Sequence, residues 1–112
     1  MLVLDSMDMD ILQRCLDGKP RGWEDFVDRF ISMVTHVVNC TAQSQGVTLL
    51  KSQQEELIVK VFSTFHEENF QILRQLNGQN HLSTYLTIVT RRIVVKNLMD
   101  YRSHQAAPKI PA

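Results

Sequence analysis

Between Trp23 and Val38 the side chains of Trp23, Phe26, Val27, Phe30, Val34, Val37 and Val38 recur at the 3.6-residue period of an α-helix and fall on one stripe. Glu24, Asp25 and Asp28 lie largely on the other side, toward water. A stripe this long and this apolar is costly to leave in water, so it calls for partner elements that cover it. Pro20 is acceptable in a first turn and Gly46 suits a helix end, which predicts a helix of about 24 residues, roughly 36 Å long.

The rest of the chain supplies partners of the same kind. Residues 8–17 predict a short helix capped by Asp8, with Ile11, Leu12, Cys15 and Leu16 as its apolar side and Gly18 as its stop. Ser52-Gln53-Gln54-Glu55 has the pattern of a capping box, and Leu57, Ile58, Val61, Phe62 and Phe65 form the stripe that follows it. Phe70, Ile72, Leu73 and Leu76 suggest a further short helix or helical loop ending at Gly78. A last helix, capped by Ser83 or Asn80, would turn Leu82, Leu86, Val89, Ile93 and Val94 inward. Its Ile93-Val94-Val95 run would suit a strand locally but sits inside a helical period. With four glycines and three prolines in 112 residues, the expectation is one all-α domain over residues 1–102, a compact bundle of about four main helices. Residues 103–112 are expected to form a flexible tail.

Several function classes find no support. No apolar run approaches the length of a membrane span and no signal peptide is visible, so a cytoplasmic protein with no membrane partner is expected. Cys15 and Cys40 form no C-x-x-C pair and are expected to be reduced and buried. His36 and Cys40, four apart on one helix, do not make a metal site alone, because structural zinc takes four ligands. "HEEN" at 66–69 lacks the second histidine of a zinc-protease helix, and His66 is expected at the surface near a helix end. Phosphate-cradling glycine loops and nucleophile elbows are absent. The expectation is a non-enzyme without cofactor.

Charge is informative through its placement. Twelve basic residues balance twelve acidic ones, yet residues 69–112 carry Arg74, Arg91, Arg92, Lys96, Arg102 and Lys109 against Asp100 alone. On the last helix Thr84, Thr87, Arg91 and Arg102 share one line, and Tyr85, Ile88, Arg92, Lys96 and Met99 an adjacent one. Cations attract phosphates, and an aromatic ring beside them can stack on an unpaired base. The pattern alone is also satisfied by a core Tyr85 and cations that only solvate a helix.

The order of "EELIVKVFSTF" (55–65), a connector and "LNGQNHLSTYLTIVTRRIVVKNL" (76–98) resembles region two of sigma-70 family factors, especially the extracytoplasmic-function group. Glu56, Leu57, Val61 and Phe62 match the family's polymerase-facing helix. Leu82, Thr84, Tyr85, Leu86, Val89 and Arg91 match its strand-facing one. "ILQRCLDGKPRGWEDFVDRF" (11–30) is similar to the family's opening, so the resemblance spans about residues 11–102.

The resemblance implies a helical bundle that docks on the clamp helices of the largest subunit of RNA polymerase core and helps melt the minus-ten element. Extruding a base of the single-stranded promoter DNA costs a few kcal/mol, which a pocket and phosphate contacts must offset. By this resemblance Asn77, Gln79, Asn80 and His81 offer groups to the base, and Arg74, Thr84, Tyr85, Thr87, Arg91, Arg92 and Lys96 complete the DNA-binding set. Glu55, Glu56, Val59, Lys60 and Ser63 would make the polymerase contact. Val59 and Lys60 replace the amide and carboxylate common there, while Tyr85, Arg92 and Lys96 replace a tryptophan, an asparagine and an acidic residue. No helix-turn-helix for the minus-thirty-five element follows before Ala112, as in a region-two-only protein or a piece of a longer factor. The alternative implied is a non-catalytic interaction module that keeps the sigma-like fold and binds polymerase or an anti-sigma protein without opening promoters.

Overall fold

The apolar stripes become four helices: α1 (Leu2–Leu16), α2 (Gly22–Ser44), α3 (Lys51–Leu76) and α4 (Leu82–Ala106). The computed structural model describes the backbone of residues 2–76 and 82–106 and the side chains of residues 7–76 and 82–99. No strand occurs among the described residues, so the fold is all-α as expected. α2 is central and packs against the other three helices, most extensively against α4. Its stripe delivers Phe26, Phe30, Val34 and Val38 to a core shared with Leu12 and Cys15 of α1, Leu57, Val61 and Phe65 of α3, and Leu86 and Val94 of α4. Phe26 is the hub of its aromatic part, 5.0 Å from Phe30 and edge-on to Phe65 at 6.1 Å between ring centroids.

Two glycines end helices in the way the sequence predicts. Gly18 (φ 69°) and Gly46 (φ 71°) adopt the left-handed conformation that side chains disfavour. Each sits in a Schellman closure: Gly18 N–H donates to Cys15 and Lys19 N–H to Arg14, while Gly46 N–H donates to Gln43 and Val47 N–H to Ala42. Val47 and Ala42 are both in the core, so the second closure also anchors the loop hydrophobically.

The helix starts differ from expectation. α2 begins at Gly22, after a turn closed by Gly22 N–H to Lys19 C=O, with Pro20 and a left-handed Arg21 (φ 60°) at its centre. At α3 the capping interaction is shifted upstream: Gln53 Oε1 accepts from Leu50 N–H at 2.9 Å, and Ser52 lies inside the first turn. Asp8 caps nothing, because α1 extends upstream of it. It is instead a buried carboxylate, 2% exposed, that accepts from Arg29 Nε of α2 at 2.8 Å and from Ser83 Oγ of α4 at 3.3 Å. Ser83 thus ties the start of α4 to α1 rather than capping it, and Asn80 lies outside the described residues.

α3 is interrupted after residue 66. Glu67 is extended, and Glu68, Asn69 and Phe70 all have positive φ (56°, 54° and 62°), a left-handed turn unusual for residues other than glycine and asparagine. The break brings Phe70 onto His66 (4.7 Å) and Trp23 (5.6 Å) and lets Leu73 and Leu76 enter the core. The short helical segment expected around Phe70–Leu76 is therefore present as the end of α3. On α4 the fully inward positions are Leu82, Leu86, Thr90, Val94 and Leu98, with Val89 and Ile93 only half-buried. Cys15 is buried as expected but Cys40 is exposed, because Thr41 and Ala42 take the inward positions of that turn.

Candidate nucleic-acid interface

α4 lies on α2 through its inward line, which leaves the opposite line to solvent. Thr84, Tyr85, Ile88, Arg91, Arg92, Lys96 and Met99 are all exposed. Tyr85 is 39% exposed, so it is not a core residue and its ring is accessible. Ile88, Val95 and Met99 form the apolar floor of a shallow groove whose rims are Arg91, Arg92 and Lys96. None of these three cations makes an ion pair among the described residues. Exposed cations can hold phosphates, and a half-exposed aromatic ring further along the same helix can stack on a base.

Two members of the proposed DNA-binding set are otherwise engaged. Thr87 is half-buried and its hydroxyl donates to the Ser83 carbonyl at 2.8 Å. Arg74 spends its guanidinium on backbone, donating to Asn69 O at 2.8 Å inside the left-handed turn and to Leu16 O at 3.1 Å at the end of α1. That arrangement closes two carbonyls that helix ends leave open and makes Arg74 a brace between α1 and α3. Asn77, Gln79, Asn80 and His81 lie outside the described residues.

The second predicted set lies on α3. Glu55, Glu56, Val59, Lys60 and Ser63 are all exposed there. Val59 and Ser63 border an apolar groove between α2 and α3 floored by Trp23, Val27, Ile31, Ile58 and Phe62, with His66 at its end. Val59 is 63% exposed. Sequence reading missed Trp23 as a groove residue because it belongs to the α2 stripe and reads as core, and it assigned Ile31 no role because Ile31 lies off that stripe. His66 is at the surface near the α3 break, as expected, with its ring edge-on to Trp23 at 5.1 Å.

No family model, curated protein or solved structure matches the chain. Among the described residues no group of three or more His, Cys, Asp or Glu could hold a metal ion, and no helix is long and apolar enough to cross a membrane. The remaining polar clusters are structural or lie in clefts: Arg14 bridges Asp25 (2.9 Å) and Asp10 (3.4 Å), while His36 and Cys40 line a cleft between α2 and α4 with Thr41, Ser44, Thr87 and Arg91. Arg91 borders both that cleft and the outer groove of α4.

Proposed function

We propose that this chain is a sigma region-two-like bundle of the cytoplasm that takes part in transcription initiation, without cofactor or catalysis, by docking on RNA polymerase core and holding the melted minus-ten strand. The observation that carries the reading is the exposed side of α4, which carries Tyr85 and, about two to three turns further along, Arg91, Arg92 and Lys96, all exposed and the cations without ion partners among the described residues. Phosphates of a single strand would lie along the cations while one base stacks on Tyr85. The order of matching segments in the sequence supplies the polymerase and the promoter in this reading.

The test is binding of a fluorescent single strand of minus-ten sequence, with and without core enzyme, across salt. Binding that weakens with salt and is reduced at least about tenfold in Arg91→Ala/Arg92→Ala supports the reading. No binding at high micromolar protein, even with core, overturns it.

A second reading has its own observation. Val59 and the Trp23–Phe62 groove offer an apolar docking surface in place of a polar one. That favours a protein-interaction module, bound to polymerase or to an anti-sigma protein, that no longer opens promoters. Core pull-down by a chain that binds no strand would select it.

A further inference from the structure

Cys40 is an exposed free thiol on α2, and His36 lies one helical turn before it. The imidazole Nε2 is 3.5 Å from Cys40 Sγ and Nδ1 is 3.9 Å away, so the thiol can donate to the ring. A nucleophile within reach of a base is the arrangement that thiol chemistry uses. Across the cleft stands Arg91 of α4, with Thr41, Ser44 and Thr87 around it. The cleft thus joins a nucleophile, a proton acceptor and a cation that can receive a carboxylate. The other cysteine lacks all of this: Cys15 is 2% exposed, and burial pushes its thiol up to about 11, against the opposing pull of Arg74.

We propose that Cys40 and His36 form a thiol-modification site for a small disulfide that carries carboxylates, and that the adduct closes Arg91 to nucleic acid. The second half rests on the strand-binding reading above. In the reaction the Cys40 proton passes to His36 and the thiolate sulfur attacks one sulfur of the reagent. The reagent's S–S bond breaks, a mixed disulfide forms on Cys40, and the departing thiolate takes the proton from His36 to leave as a thiol. One disulfide is consumed and one is made, so no further oxidant is needed. The carboxylates of the adduct lie against Arg91, which also borders the outer groove of α4.

The full chain is incubated near neutral pH with oxidised glutathione or, separately, with cystamine, which has the same reacting bond and opposite charge. Intact mass and peptide mapping follow the adduct. Expected is a single adduct on Cys40 and none on Cys15. His36→Gln should slow both reagents by about tenfold, and Arg91→Gln should slow only oxidised glutathione, by about threefold. A Cys40 that reacts no faster than in the urea-unfolded chain, or is indifferent to His36→Gln, overturns the site. Strand binding is then measured on each adduct: the glutathione adduct should weaken it at least about fivefold and the cystamine adduct less, with Cys40→Ser immune to both reagents. Unchanged binding by the glutathione adduct overturns the regulatory half. A chain that binds no strand before modification overturns the strand reading and this consequence with it, while the adduct rates still decide the site.

Discussion

Thr90 is fully buried on the inward line of α4, between Leu86 and Val94, and its hydroxyl has no hydrogen-bond partner among the described residues. Desolvating a hydroxyl without compensation costs about 1–3 kcal/mol, whereas a methyl in its place would fit the same space. Thr90→Val should therefore raise stability by about 1 kcal/mol, seen as a higher urea midpoint with an unchanged slope. Cys15 sits in a comparable setting with an opposite consequence. Its thiol is pushed from 9.0 to about 11 by burial, with Arg74 pulling weakly the other way. The folded chain thus holds the Cys15 proton more tightly than the unfolded chain does. That contribution is complete below pH 9 and is lost as pH rises toward 11, by about 2–3 kcal/mol in all. Chemical denaturation across this window should show a steeper alkaline fall in the wild type than in Cys15→Ala, and parallel falls would assign the loss to other groups.

At the scale of elements, the tie among α1, α2 and α4 is the Asp8 carboxylate with Arg29 and Ser83. The two charges are unequally placed, Asp8 being 2% and Arg29 41% exposed. Removing Arg29 strands a buried anion, but removing the Asp8 charge releases Arg29 to water. Arg29→Ala should therefore cost about 3 kcal/mol and Asp8→Asn, which keeps shape and an acceptor for Ser83, about 1–2 kcal/mol. Equal losses in denaturant titrations would mean that the pair contributes by packing, for instance through Arg29 over the Phe30 ring at 5.1 Å, and not by charge. This tie was not legible in the sequence, because Asp8, Arg29 and Ser83 share no local period and Asp8 looked like a cap. The α3 break was illegible for a related reason: neither glycine nor proline occurs at 66–70, and the left-handed turn is held by Arg74 from outside it and by the packing of the Phe70 ring on Trp23 and His66. The stripes of α2 and α3 and the stops at Gly18 and Gly46 were legible, because periodicity and left-handed glycine closures act within a few residues.

On the molecule as a whole, charge separates along the chain, with acidic side chains on α1 and α2 and exposed cations on the outer face of α4. The sequence revealed the two lines of α4 but not which faced water, since that depends on where α2 lies. The exposure of Tyr85, Arg91, Arg92 and Lys96 decides it, and the backbone-bound Arg74 removes one cation from the expected set. If these three cations each neutralise one phosphate of a single strand, the logarithm of the binding constant should fall with the logarithm of salt at a slope of about −2, at roughly −0.7 per phosphate. Each single alanine substitution should reduce that slope by about 0.7. Arg74→Ala should leave the slope alone and lower stability instead, because its partners are the Leu16 and Asn69 carbonyls. Tyr85→Ala should weaken binding by about 1–3 kcal/mol at every salt concentration with the slope retained, as loss of base stacking requires. A slope that drops in Arg74→Ala but not in Arg92→Ala would move the strand off α4 and toward the α3 break.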